Sequence, residues 1–338
     1  PVTVMAEEML TEGEGQIRGL ITTAGNPVLS APNGNYMDQA LAGLDFMVCI
    51  DIYINETTQH ADIILPPTSA LEHDHYDLAF HRLAVHNTAR FNEAVFEPDE
   101  GTRHDWEIFN ELGLAVAARK GMEVKPLPSP DKLIDRGIQR GPYSAAAGHE
   151  LELTLDKIKQ HPHGLDIGPL QPSLPERLCT SDGKIRLMAD YIVEDLARLG
   201  DEKQETDKDE LLLIGRRHIR SNNSWMHNSH RLVKGKPRWQ LLMHPDDMAA
   251  HQLQDQSQVR IRSRVGEVQT QVLASDEVMP GVVSLPHGWG HKRQGVALNI
   301  AAEQGGVSCN DLTDDKLVDR ASGNSALNGV PVKVFGIQ

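Results

Sequence analysis

The stretch 45–54, DFMVCIDIYI, constrains the fold of this chain more than any other, because its apolar residues follow one another without alternation, broken only by Asp51. An alternating strand has one wet face, whereas a continuous apolar run belongs to a parallel sheet covered on both faces. Strand and helix signals alternate around it. GLITTAGNPV is an apolar run halted by the turn Gly25-Asn26-Pro27, MDQALAGL has the makings of a short helix, and ETTQHADIILPP supplies another helix and strand. This repetition predicts an α/β fold with a doubly wound, mostly parallel sheet. RHDWEIFNELGLAVAARKG then predicts a helix with Ile108, Leu112, Ala115 and Val116 on one face and Gly121 as its C-cap. From 122 to 185 the chain is rich in Pro, Gly and His and reads as mostly irregular, before MADYIVEDLARLG restores a helix through Ile192, Leu196 and Leu199.

Residues 201–210, DEKQETDKDE, contain no apolar side chain and read as a linker. Beyond it the hydrophobic period changes to two. SQVRIRSRV alternates, Gly266-Glu267 turns the chain, VQTQVLAS alternates back, and VVSLP and VPVKVF follow, with PDDMAAHQL as one brief helix. Short strands in quick succession predict a small closed β-barrel. At 338 residues the chain has room for two cores, since single cores stop growing near ~250 residues. The expected division is 1–205 for the α/β part and 206–338 for the barrel.

A formal charge of -15 argues against a sequence-independent grip on nucleic acid, which relies on Lys and Arg neutralising phosphates. No apolar run approaches the ~18 residues that cross a bilayer, so no membrane span is expected. Cys49, Cys179 and Cys309 are far apart and make no C-x-x-C pair, so neither a disulfide framework nor an iron–sulfur or zinc knuckle is encoded. The chain opens at Pro1 with neither an initiating Met nor a signal-peptide pattern and reads as a piece of something longer, cytoplasmic in location, with any export signal lying ahead of it.

Several motifs carry possible chemistry. EGEGQIRG precedes a strand instead of following one, which is the wrong context for a phosphate-cradling glycine loop. Asn26 and Asp51 fall at strand ends, where ligands of open α/β sheets sit; Asp51 suits a ribose or guanine edge, or equally a turn cap. EHDHYD (72–77) gathers Glu72, His73, Asp74, His75 and Asp77, yet its i, i+2 histidines need a further ligand from elsewhere to hold a metal, so a solvated loop is the simpler reading. LLLIGRRHIRSNNSWMHN (211–228) is the most informative: a strand ends at Gly215 and is followed by Arg216, Arg217, His218, Arg220 and a run of Ser and Asn. Cationic forks and amide donors at a strand end are what a phosphate-bearing, heteroaromatic ligand requires, and a solvated basic loop is the bland alternative. LPHGWGH (285–291) offers His287, Trp289 and His291 for a metal or for a flat ligand, with neither favoured; QHPHG (160–164) reads as a surface turn.

Taken in order, ITTAGNPV, DFMVCIDIYINETTQHADIILPPTSALE and EGTRHDWEIFNELG, then IGRRHIRSNNSWMH, HPDDMAAHQLQDQSQVRIRSRVGEV, PGVVSLPHGWGH and NGVPVKV, resemble the C-terminal half of the molybdopterin oxidoreductases of the dimethyl sulfoxide reductase and formate dehydrogenase family. The resemblance covers nearly the whole chain. It implies a six-stranded double-psi type barrel after the α/β part. It also implies molybdopterin guanine dinucleotide, two per metal, with molybdenum or tungsten held by the pterin dithiolenes. Matched to the family, Asn26, Asp51 and Asp105 would face nucleotide. Gly215, Arg216, Arg217, His218, Asn222, Ser224, Trp225 and His227 would cradle phosphate and pterin, and His291, Asn299 and Asn328 would line the pterin. No catalytic or metal-ligating residue is assigned within this chain. His73 after Glu72 and a lone Arg82 depart from the basic residues that relatives often carry there. The family's N-terminal half, with its iron–sulfur cysteines and metal ligand, is not represented, so the chain on its own is expected to be inactive. That half is the expected partner, with an electron-transfer subunit as a further one. The rival readings are a non-catalytic dinucleotide-binding module and a metal-dependent hydrolase using the His-rich loops.

Overall fold

The strand within DFMVCIDIYI is shorter than its apolar run. In the computed structural model, which describes residues 1–201 and 209–337, β1 (Gly19–Thr23), β2 (Phe46–Ile50) and β3 (Ile63–Ile64) form a parallel sheet in that order. β2 stops at Ile50 because the Asp51 carboxylate accepts hydrogen bonds from the Ile52 and Tyr53 amides and folds the chain into a turn, leaving Ile52 and Ile54 exposed. Met47 and Cys49 point to one face, where the helices Met5–Leu10 and Gly34–Ala42 cover them with Ala6, Met9, Met37, Ala40 and Leu41. On the opposite face Ile21, Val48 and Ile63 stand in register across the three strands, and Ile21 and Ile63 are 58% and 44% exposed. The sheet is parallel as expected, but this second face is less covered than an uninterrupted apolar strand implies.

Contacts gather the chain into two units, one of residues 1–65 with 187–338 and one of 66–186. A boundary at 205/206 and most of the expected linker fall on residues 202–208, outside those described. The 66–186 unit has more order than its Pro, Gly and His content indicates. β4 (His75–Tyr76) pairs with β6 (Phe91–Asn92), β5 (Asn87–Ala89) pairs with β7 (Leu165–Gly168), and helices run over Asp105–Arg119, Pro130–Gln139 and Leu155–Lys159. Ala89, Phe91, Leu153, Leu155 and Ile158 make a small core there. The Asp105–Arg119 helix buries Ile108 and Ala117 while Val116 stays exposed, so its buried stripe is narrower than the predicted face.

The C-terminal part closes into a six-stranded barrel. β8 (Leu211–Arg216), β9 (Leu241–Met243), β10 (Gln258–Arg262), β11 (Glu267–Ala274), β12 (Val282–Pro286) and β13 (Val330–Gly336) run around it in the order β10-β11-β9-β12-β8-β13. β8/β12 and β9/β11 are parallel pairs and the remaining neighbours antiparallel, the crossed arrangement of the double-psi type. Period two explains the core. Val259, Ile261, Val272, Leu213, Leu241, Met243, Val283 and Leu285 alternate inward and are fully buried, each stabilising the barrel by roughly 1.5–3 kcal/mol.

The sheet layer is tied to the barrel within the same unit by polar contacts. Arg293 donates to Asp38, Asn35 and Asp311, Asn310 donates to the Ala31 carbonyl, and the Asn33 amide donates to the Thr313 carbonyl. Asp311 is pushed up to about 6 by its burial, against the pull of Arg293.

Candidate functional site

Three loops build a groove at the strand ends. After β1 the chain passes through Ala24, Gly25 and Asn26 into a one-turn helix begun by Pro27. β8 and β12 are parallel neighbours with Arg216 opposite Pro286, so the loops that follow them, 217–228 and 287–291, leave from the same end. Gly288 lets these two loops touch: a Cβ there would lie 2.2 Å from the Asn223 carbonyl oxygen, and its φ is +84°. A hollow of about 270 Å³ is lined by Arg217, His218, Ser221, Asn222, Asn223 and His287. A smaller one of about 110 Å³ is lined by Ala24, Gly25, Asn26, Ser224, Trp225 and Gly288 among others, and it shares Asn223 and His287 with the first. The GNP turn and the basic loop therefore face one groove. Trp225 is 46% exposed at its rim, and the Arg217 guanidinium donates to the Asn223 side chain.

Behind the groove runs a buried chain of hydrogen bonds. Ser221 Oγ lies 3.0 Å from His227 Nε2, His227 Nδ1 lies 2.9 Å from His291 Nε2, and His291 Nδ1 lies 2.9 Å from Glu56 Oε1. The other Glu56 oxygen accepts from the Asn26 amide at 2.7 Å, and Thr57 Oγ1 donates to Asn26 Oδ1 at 2.7 Å. Glu56 is 0% exposed, His227 1% and His291 3%. Burial would push the Glu56 carboxyl up, but the hydrogen bond and charge of His291, with the Asn26 amide, hold it below the ordinary carboxylate value. Burial, reinforced by His291, drives His227 down to about 3, and its ring stacks on Trp289 at 3.9 Å between centroids. Glu56 is thus ionised and His227 neutral.

Comparison with known proteins bears on the same segments. Residues 3–115 match the family model described as molybdopterin oxidoreductase, and residues 211–331 match the molydopterin dinucleotide binding domain. The chain belongs to the molybdopterin oxidoreductases of the dimethyl sulfoxide reductase family. Over 327 residues this molybdopterin oxidoreductase chain is 26% identical to the probable oxidoreductase YoaE of Bacillus subtilis (strain 168), covering 95% of this chain and 45% of that protein. It is 25% identical to the F420-dependent formate dehydrogenase 1 subunit alpha of Methanococcus maripaludis, covering 88% of this chain and 42% of that one. The assimilatory nitrate reductase catalytic subunit of Bacillus subtilis is 36% identical over 114 residues, 33% of this chain and 15% of the relative. Among solved structures, acetylene hydratase from Pelobacter acetylenicus shares the fold with a TM-score of 0.73 at 18% identity, covering 99% of this chain and 46% of that one. The chain spans a little under half the length of the relatives it matches most fully.

Within this family member the expected site residues separate into groups. Asn26, Arg217, His218, Asn222, Ser224 and Trp225 line the groove. Arg216 does not: its guanidinium turns into the barrel and donates to the carbonyls of Ser284, Arg238 and Gln240, with burial lowering it to about 10. The Asp51 carboxylate accepts from the Ile52 and Tyr53 amides and from the Asn55 side chain, the hydrogen bonds of a turn cap. His227 and His291 are buried behind the wall. Asn328 accepts from the Gly215 amide at 2.8 Å and so fixes the end of β8, while Asn299 is an exposed first residue of the helix Asn299–Glu303, whose amides are capped by Asn228. Asp105 belongs to the 66–186 unit, where it lines a separate hollow of about 580 Å³ with Glu72, His73, Asp74, His104 and Trp106. Among the described residues, no group of three or more His, Cys, Asp or Glu side chains is placed to hold a metal ion. Sequence reasoning leaves Glu56 and Thr57 unassigned, counting them only within the stretch ETTQHADIILPP. A carboxylate next to a helical turn gives no local sign that a distant imidazole will meet it.

Proposed function

We propose that this chain is the cofactor-binding part of a bis-molybdopterin guanine dinucleotide oxidoreductase. The observation that carries the reading is the groove in which the GNP turn and the Arg217–Trp225 loop share one cavity wall. Its chemistry fits the group: Arg217, His218 and the Asn222 and Asn223 amides would hold the diphosphate, and Asn26, Ser224 and Trp225 would meet flat, hydrogen-bonding rings. When bound, the cofactor's molybdenum or tungsten supplies two-electron chemistry; the protein's part is to bind, orient and shield it. Relatives named formate dehydrogenase and nitrate reductase support a small oxygen-bearing anion as the substrate of the whole enzyme. The remainder of that enzyme, with its iron–sulfur cluster and an electron-transfer subunit, is the proposed partner.

The test is calorimetric titration of the chain with guanosine diphosphate. Saturable binding that Arg217→Ala weakens by about tenfold supports the reading. Absence of binding, or binding indifferent to both Arg217→Ala and Trp225→Ala, overturns it.

A further inference from the structure

The buried chain of hydrogen bonds ends in the groove at both sides, at Asn26 and at Ser221. Its interior allows only two proton arrangements. Ionised Glu56 requires a hydrogen on His291 Nδ1. Across the 2.9 Å between His291 Nε2 and His227 Nδ1, one nitrogen carries a hydrogen and the other accepts it. If His291 is neutral, His227 donates from Nδ1, its Nε2 is bare, and Ser221 must donate its hydroxyl inward, turning lone pairs to the groove. If His291 carries a second proton, it donates to His227 Nδ1, His227 donates from Nε2 to Ser221 Oγ, and the Ser221 hydroxyl hydrogen is free for the groove.

We propose that Ser221 is a specificity-determining residue whose hydrogen-bonding polarity toward the ligand is set by one proton on His291, transmitted through His227. This rests on the reading of the groove as a diphosphate site, since a diphosphate offers acceptors only and favours the donating Ser221. The groups that face the relay are few. Glu56 comes from the sheet layer, Arg238 stands near enough to His227 to disfavour its charge, and the Gly288 carbonyl reaches the same ring. Arg217, His218 and His287 share the groove wall with Ser221, and burial followed by Arg217 lowers His287. The Arg217 guanidinium makes the groove favour anions whatever the state of Ser221; the relay adds the pH dependence. Diphosphate binding then takes up a proton, and affinity rises as pH falls.

Long-range ¹⁵N spectra of the histidines in the 338-residue chain, recorded from about pH 9 to pH 5, read the relay without ligand. The expected result is one concerted step in which His291 gains its proton as His227 passes from the Nδ1–H to the Nε2–H tautomer. A His227 tautomer that stays fixed while His291 titrates, or no titration of His291, overturns the proposal. Calorimetry with guanosine diphosphate in two buffers of different ionisation enthalpy then measures proton uptake, expected near one per site and lost in Ser221→Ala together with about tenfold in affinity. Uptake that persists in Ser221→Ala also overturns it. Guanosine diphosphate that fails to bind while the tautomers switch together sinks the dinucleotide reading and leaves the relay standing.

Discussion

His73 and His75 lie in the 66–186 unit, His75 exposed and His73 half-buried with Nδ1 against the Asp74 carbonyl. His227 and His291 lie in the other unit at 1% and 3% exposure, held between Ser221 and Glu56. In sequence His73 and His75 invite a suspicion of metal binding, and so does His291 in LPHGWGH. Their difference comes from partners: an imidazole is removed from water only where other groups take every hydrogen bond it loses, and here a buried carboxylate and a hydroxyl do so. His73 and His75 keep access to water as a partner and are free of that constraint.

The largest test of the contrast is Glu56→Ala. Removing it leaves His291 buried against an empty position and frees the Asn26 amide, so the chain is expected to lose about 3–5 kcal/mol, read as a shift in urea midpoint at constant slope. A loss of under about 1 kcal/mol would mean the relay is not closed to water.

Acid titration sharpens the comparison next. His227 has its ordinary value near 6.5 in the unfolded chain and about 3 in the fold. Above pH 6.5 both states are neutral and the full stability is present. As pH falls from 6.5 toward 3, the unfolded chain binds a proton that folded His227 refuses, which costs about 1.4 kcal/mol per pH unit. His227→Asn is expected to flatten this slope. Arg216→Met follows in size: three carbonyls lose their charged donor, for an expected loss of about 2–3 kcal/mol with no change in guanosine diphosphate affinity beyond that of the folded fraction.

Arg216 and Arg217 also mark how far the sequence could be read. The barrel was legible because period two over Gln258–Arg262 and Glu267–Ala274 is a local property with one physical meaning. The parallel layer was legible from apolar runs closed by turn residues. That one of two adjacent arginines faces the groove and the other the barrel follows from strand alternation, but only once β8 is known to continue to Arg216 and not to stop at Gly215. Glu56 was out of reach for a different reason. Its partner is His291, 235 residues away, and no periodicity links them. Asp51 was placed at a strand end correctly, yet its turn satisfied it locally, a competition that short acidic side chains often win.

The smallest expected effect completes the contrast. The double variant His73→Ala/His75→Ala removes two rings that carry one side-chain hydrogen bond among the described residues, His73 Nδ1 to the Asp74 carbonyl, together with an edge contact between His73 and His104 at 6.1 Å. Neither leaves an orphaned buried group, so stability is expected to change by less than about 0.5 kcal/mol. Metal content of the purified chain, measured by mass spectrometry, is expected to be the same for the variant and the parent. A fall in bound metal on losing His73 and His75 would reverse the roles of the two clusters, because it would show that the open pair finds in a cation the partner that the buried pair finds in Glu56.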